Sequence, residues 1–400
     1  MRGDVLLAGA VRTPIGKFGG ALASLSAVEL AVVAVKSTLE RTGLRPDQVD
    51  QLILGHARQA GCGPNPARQV AVLSGIPVEK PAYTVNQACL SGMQALLAGV
   101  RAVRLGEAQV VIAGGTESMS RVPYLLDARW GFRMGHKPLA DAMVRDGFLD
   151  PLSGKVMGET AETLAANYGI PRDEQDAFAA LSQQRCEAAR RAGRFQAEIV
   201  PVEVGGQTAA RIVTEDEHPR NGVTVASLSR LPPVFSSGGG TVTAGNSSGI
   251  TDGAAILVVL SAEAARDLGV SAQASVVGYH VAGVDPAVMG IGPVPAVRAL
   301  LARTGIGLDR IDLVEINEAF AAQVLAVDRE LRFDRERLNV NGGAIALGHP
   351  IGCSGARIVA TLLHEMDRRR SGHGLATLCV SGGMGGALLL ARARGFGRGS

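Results

Sequence analysis

Short apolar runs alternate with longer stretches of helical spacing along most of the chain. Residues 5–11 are a continuous apolar run that breaks at the polar turn Arg12-Thr13-Pro14, and they read as a first buried strand. Residues 82–85 read as another. The pattern then repeats. Residues 43–54 and 305–316 match without a gap: Gly43 with Gly305, Asp47 with Asp309, Val49 with Ile311, Asp50 with Asp312, Leu52 with Val314 and Leu54 with Ile316. Each copy reads as a helix end, a turn and a buried strand. A looser match follows in the same order. Ser91-Gly92 opens a helix of small apolar residues leading to Val110-Val111-Ile112-Ala113 and Gly114-Gly115, and Ser354-Gly355 opens another leading to Leu378-Cys379-Val380 and Gly382-Gly383. Two matches in one order favour a duplicated domain over a generic likeness of α/β units. Strands alternating with helices in both halves predict α/β layers with a mainly parallel sheet in each.

Residues 121–248 have a different texture, rich in charge, glycine and proline. Helices are predicted at 158–168 and 172–192. The second starts with Pro171 and the acidic Asp173, Glu174 and Asp176, and ends with Arg190 and Arg191, so its charges complement the helix dipole at both ends. The segment reads as an insertion on a rigid scaffold, where substrate contacts commonly reside. The predicted organisation is a first half over 1–120, completed by about 249–270, an insert over 121–248 and a second half over 271–400.

Composition narrows the class. The 400 residues exceed the roughly 250–300 that one core serves. With 46% hydrophobic, 19% charged and only 4% aromatic residues, the chain is a well-buried globular protein built from small side chains, not a disordered one. A net charge of +3 points to neither a nucleic-acid nor a membrane partner. The five cysteines, Cys62, Cys89, Cys186, Cys353 and Cys379, are odd in number and never in a C-x-x-C pair. That argues against a disulfide framework and against a zinc site, and for free thiols in a reducing compartment. No run approaches the roughly 20 apolar residues that span a bilayer. Arg398-Gly399-Ser400 is not a peroxisomal signal, so the expected location is the cytoplasm.

Four stretches carry candidate chemistry. In Asn86-Gln87-Ala88-Cys89-Leu90-Ser91-Gly92, Cys89 falls where a strand turns into a helix, and the helix dipole there favours the reactive thiolate. In Asn339-Val340-Asn341-Gly342-Gly343-Ala344-Ile345-Ala346-Leu347-Gly348-His349-Pro350, His349 precedes the helix equivalent to the one headed by Cys89. The two helix starts should face each other and bring a general base to a thiol. Cys379-Val380-Ser381-Gly382-Gly383 sets a second thiol beside glycine-rich backbone whose N–H groups suit an oxyanion. In Asn317-Glu318-Ala319-Phe320, the Asn317 amide can hold a water or a carbonyl oxygen. Taken singly, each has a plainer reading: a buried apolar cysteine, a turn histidine, a glycine turn.

Together these motifs resemble the thiolase family, in the family order and over nearly the whole chain from Arg12-Thr13-Pro14-Ile15-Gly16 to Met384-Gly385-Gly386. Met157-Gly158-Glu159-Thr160-Ala161-Glu162 and Asp173-Glu174-Gln175-Asp176-Ala177-Phe178 resemble the family's loop domain. The resemblance implies an α/β fold of duplicated five-layer α-β-α-β-α halves with that loop domain inserted, assembled as a homodimer or homotetramer. It implies an acetyl-CoA C-acetyltransferase with a ping-pong cycle, in which Cys89 is acylated, His349 is its base and Cys379 is the second acid and base. One oxyanion site would use His349 and a water held by Asn317; the other would use the backbone N–H groups of Cys89 and Ser381, the latter standing where the family usually has glycine. Met157, Arg220, Ser248 and Phe320 are the implied substrate contacts. Coenzyme A and acetyl-CoA enter as substrates, with no bound cofactor and no metal. Val156, where short-chain members often carry histidine, leaves room for longer or dicarboxylic acyl chains. A thiolase-fold protein that binds acyl-CoA or lipid without catalysis is the competing reading.

Overall fold

The two copies of the repeat build the same strand arrangement twice. The computed structural model describes residues 4–205, 210–236 and 238–393, so Arg398-Gly399-Ser400 lies outside the described residues. In the first half, Gln51–Gly55 runs parallel to Ala82–Val85 and to Val110–Ser118, after which Thr251–Ser261 and Val5–Arg12 follow antiparallel. In the second half, Leu313–Ile316 runs parallel to His373–Val380, after which Met384–Arg392 and Ala272–Gly283 follow antiparallel. Val5–Arg12 pairs with Ala272–Gly283 and joins the halves into one ten-stranded sheet.

This corrects the expectation of mainly parallel sheets. Most of the pairs are antiparallel, for a local reason. His373–Val380 and Met384–Arg392 are joined by Ser381-Gly382-Gly383 alone, with the glycines at φ +85° and +83°, and so short a turn can only make a hairpin. In the first half the long insert lets Thr251–Ser261 return beside Val110–Ser118 from the opposite end.

Helices Ser91–Leu105 and Ile351–Arg369 lie side by side at the centre, where Leu96, Val100, Ile358 and Leu362 share a core with strand residues of both halves, among them Val111, Val259, Leu378 and Leu390. Ala27–Thr42 and Pro66–Leu73 cover the outer face of the first half, and Pro293–Thr304 and Ala321–Leu331 that of the second. The result is five layers, with the central helices shared. Small residues permit the close central approach. A Cβ on Gly92 would stand 2.8 Å from the Ala356 nitrogen, and one on Gly355 2.6 Å from the Met93 nitrogen. The Ser-Gly pairs of the repeat are therefore where the two helix starts meet.

The insert carries helices Met157–Tyr168 and Arg172–Arg191, within a residue of the predicted spans. Its far end is tied to the first strand by Arg12, which bonds Glu198 at 2.7 Å and Asp216 at 2.6 Å, all three buried. None of the helices among the described residues is long and apolar enough to cross a membrane.

Candidate active site

Cys89 sits in the tight turn Ala88–Leu90, immediately ahead of the central helix Ser91–Leu105. The turn forces Ala88 to φ +45°, a region costly for a residue with a side chain. Polar neighbours hold it there. Asn86 Oδ1 accepts from the Ala88 N–H at 3.0 Å, while Ser91 Oγ accepts from the Gln87 N–H at 2.9 Å and donates to the Ala88 carbonyl at 2.7 Å. Burial pushes the Cys89 thiol up, and against this the backbone N–H groups of Ser381 and of Cys89 itself, with the charge of Arg58, favour the thiolate. Burial wins, so the resting group is a thiol. The same two N–H groups that sequence reasoning paired as oxyanion donors face this sulfur.

Cys379 lies on His373–Val380, buried at the hairpin. Its thiol is pushed up strongly, by burial first and then by Cys89 beside it, and stays protonated at neutral pH. It belongs to an apolar cluster with Met289, Ala319 and Phe320, against which Met157 and Phe235 pack. Phe235 meets the Phe320 ring edge to face at 6.2 Å. Met157 and Phe320, both expected at the substrate, thus line the side of Cys379.

His349 is 8% exposed and stands just ahead of the other central helix, its N–H donating to the Gly249 carbonyl at 2.9 Å. The protonation of its ring is set by a hydrogen-bond chain. The Ser354 hydroxyl donates to the Pro350 carbonyl at 2.9 Å, so it can only accept at 2.5 Å from Nδ1–H, which leaves Nε2 unprotonated. Nε2 faces the Asn317 amide nitrogen at 3.4 Å. Burial, with the charges of Arg357 and Arg58, pushes the imidazole down to about 3. The histidine is neutral at any ordinary pH, as a base needs to be.

Asn317 follows the strand Leu313–Ile316 and is fully buried, with no partner for Oδ1 among the described residues. Glu318 anchors it. The Glu318 carboxylate accepts from Ser182 Oγ at 2.7 Å, Asn339 Nδ2 at 2.8 Å and the Ile345 N–H at 3.1 Å, which ties the Asn317 segment to the loop that ends at His349 and to the insert helix. Ser248 is half-buried, its N–H bonded to the Ala319 carbonyl at 3.0 Å. Arg220 is exposed and reaches neither cysteine; its charge acts on His218, whose ring lies against Gly249. Ser248 and Arg220 therefore share one face through His218.

Sequence reasoning missed Ser354 as the residue that orients His349, although the Ser354-Gly355 pair was in view. It also missed a buried cluster at the other side of Cys89. His56 Nε2 bonds Glu117 at 3.0 Å, and Glu117 also accepts from the backbone N–H groups of Ala57, Arg58 and Gly352 at 3.2, 3.1 and 2.8 Å. Burial opposes charge on His56, yet its interactions with Cys62 and Glu117 raise it to about 9. Nothing in the pattern around Glu117 marked it, since it ends an apolar strand.

The sequence pattern of the thiolase N-terminal domain matches residues 5–263, and that of the thiolase C-terminal domain residues 270–392. An acetyl-CoA acetyltransferase of Pseudomonas aeruginosa is 52% identical over 97% of this chain and 99% of its own length, and one of Cupriavidus necator is 50% identical over the same shares. Among solved structures, the Bacillus anthracis acetyl-CoA acetyltransferase superimposes with a TM-score of 0.95 at 46% identity, covering 98% of this chain and 99% of that one. Human mitochondrial 3-ketoacyl-CoA thiolase does so with a TM-score of 0.95 at 42% identity, again covering 98% and 99%.

Proposed function

From the premise that the chain belongs to the thiolase family and is an acyltransferase enzyme, we propose how its residues divide the reaction. The activity is reversible acetyl transfer between coenzyme A and a 3-ketoacyl-CoA, as in an acetyl-CoA C-acetyltransferase. His349 Nε2 takes the proton of the Cys89 thiol as the sulfur attacks the keto carbon. The bond between that carbon and its neighbour breaks, the electron pair leaves on the acetyl-CoA enolate, and the Cys379 thiol supplies the proton to it. Coenzyme A then attacks the acyl thioester, giving its thiol proton to the Cys379 thiolate, and Cys89 departs and is reprotonated from His349. In condensation Cys379, as thiolate, removes the acetyl-CoA proton instead.

The observation that carries this reading is the pairing of a neutral His349, its Nε2 unprotonated beside the Asn317 amide, with two thiols both held protonated. A base of low affinity for protons and a buried acid are matched to a proton that moves only as bonds to carbon form or break. Charge on the keto oxygen, which stays on the carbon bonded to Cys89, would meet the N–H groups of Cys89 and Ser381, and charge on the acetyl-CoA enolate oxygen would meet His349 and a water held by Asn317. Ser248, Met157 and Phe320 would follow the pantetheine arm, and Arg220 the phosphates, with the insert over 121–248 supplying much of the coenzyme A contact.

The reading extends to assembly and location. Trp130 and Met134, each 93% exposed, lie between the short paired strands Tyr124–Leu125 and Ala140–Asp141, and such side chains suit burial against another copy in a dimer or tetramer. The five free thiols suit the cytoplasm.

Coenzyme A-dependent thiolysis of acetoacetyl-CoA, beside a neutral medium-chain 3-ketoacyl-CoA, tests the proposal with Cys89→Ala as control. Turnover of either substrate, abolished in the variant, is expected. Turnover of neither would return the chain to the non-catalytic binding reading.

A further inference from the structure

Of the five cysteines, Cys186, Cys353 and Cys379 are buried, and only Cys62 and Cys89 reach the surface, each in part. Burial holds the Cys89 thiol protonated. Cys62 has a different setting. It lies between Gly61 and Gly63, whose φ of +77° and +72° turn the chain sharply on either side of it. Its N–H donates to the Gln59 carbonyl at 3.1 Å, and its carbonyl accepts from Gln69 Nε2 at 2.9 Å, which ties the turn to helix Pro66–Leu73.

This turn sets Cys62 against His56. The imidazole is 1% exposed, and its Nε2–H goes to Glu117 at 3.0 Å. Nδ1 has no nitrogen or oxygen partner among the described residues, and the other side chain that bonds the ring is Cys62. The Cys62 sulfur otherwise makes only long contacts, 3.8 Å to the Arg58 carbonyl and 3.9 Å to that of Ala60. Although burial opposes its charge, His56 is raised to about 9 by Cys62 and Glu117, so both ring nitrogens carry protons at neutral pH. A buried Nδ1–H needs an acceptor, and the sulfur is the one in place. Glu117 is fixed in turn by the N–H groups of Ala57, Arg58 and Gly352. Carboxylate, imidazole and thiol in that order are the arrangement in which an oriented histidine activates a nucleophile. It shares no residue with Cys89, His349 and Cys379.

We propose that Cys62 is a second reactive thiol, a modification site that hydroperoxides oxidise to the sulfenic acid, with His56 and Glu117 activating it. The assignment does not depend on the acyl-transfer reading. The Cys62 thiolate attacks the terminal peroxide oxygen, the S–O bond forms and the O–O bond breaks. Sulfur gives up two electrons and the peroxide is reduced. The leaving oxygen takes the Nδ1 proton of His56 and departs as an alcohol, or as water where the reagent is hydrogen peroxide, and solvent returns a proton to the ring.

The test gives the full native chain one equivalent of hydrogen peroxide at neutral pH with dimedone present, and locates the sulfenic acid adduct by peptide mass mapping. Cys62 is expected to be labelled about tenfold faster than Cys89 and about tenfold faster than glutathione in the same solution, with the three buried cysteines unlabelled. Cys62→Ser should lose that adduct, and His56→Gln should slow labelling of Cys62 about tenfold. Labelling of Cys89 first, or of Cys62 no faster than glutathione, overturns the assignment without any variant and whether or not His56→Gln folds. So does a folded His56→Gln chain labelled at the native rate, since Cys62 would then be an ordinary surface thiol.

Discussion

Two buried histidines flank the reaction centre, and their surroundings drive them to opposite charge. His349, supplied by the second half, has a hydroxyl on one ring nitrogen, an amide near the other and cations nearby, and it is held neutral at about 3. His56, supplied by the first half, interacts with Cys62 and with a carboxylate at 3.0 Å and is raised to about 9. Burial opposes the charged form in both. What differs is the partner: Cys62 and a carboxylate together outweigh desolvation, and a hydroxyl does not. One fold thus keeps the proposed base and a structural cation a few side chains apart, both raised by the charge of the same Glu117.

Removing the reactive member should have the largest effect. His349→Asn is expected to lower kcat by about 10²–10⁴-fold in thiolysis, the usual contribution of a general base, with coenzyme A thioester binding retained. A variant that kept its rate would mean that Cys89 needs no imidazole. Steady-state rates together with a binding isotherm for acetyl-CoA separate the two parameters.

The structural member should act on stability instead. Glu117→Gln leaves the buried His56 without its anion and should cost about 3 kcal/mol in denaturant unfolding at neutral pH. The pH course sharpens the contrast. His56 is raised from the usual 6.5 to about 9, so its pair stabilises fully below pH 6.5 and fades as pH rises through about 9. The penalty of Glu117→Gln should shrink over that alkaline window. His349 is depressed, so native stability should also fall as pH drops from 6.5 toward about 3, and Glu117→Gln should leave that acid limb in place. An unchanged alkaline limb in the variant would show that the pair is not the source.

The smallest effect tests how the neutral histidine is oriented. Ser354→Ala removes the acceptor for Nδ1–H and should lower kcat/KM about tenfold, with the helix start still closed on Gly92 and Gly355. Loss of the preference for Nε2 as base should also appear in the imidazole nitrogen NMR shifts of the variant.

How much of this was legible before folding follows from what kind of information each feature carries. The repeat marked by Gly43 and Gly305, and by the two Ser-Gly helix starts, is written in local spacing, and it foretold the matched strands and the central helix pair. Cys89, His349, Cys379 and Asn317 stood out because unusual local backbone surrounds each of them: tight turns, glycines, a strand end. The direction of the sheet was not legible, because it hangs on a three-residue hairpin and on where a long insert returns. His56, Arg58 and Glu117 were invisible for another reason. Residues of ordinary type separated by about sixty positions become a cluster only when Gln51–Gly55 and Val110–Ser118 run side by side in parallel.

By itself the sequence determined the duplicated α/β plan and put forward Cys89, His349 and Cys379 as candidate nucleophile, base and acid, since propensity, periodicity and small-residue spacing are properties of neighbouring positions. Only the tertiary structure decided which proton each histidine holds, that the Ser381 N–H meets Cys89, and that His56 and Arg58 gather around Glu117. Those depend on burial and on partners within hydrogen-bond reach, and both exist only once distant segments are brought together.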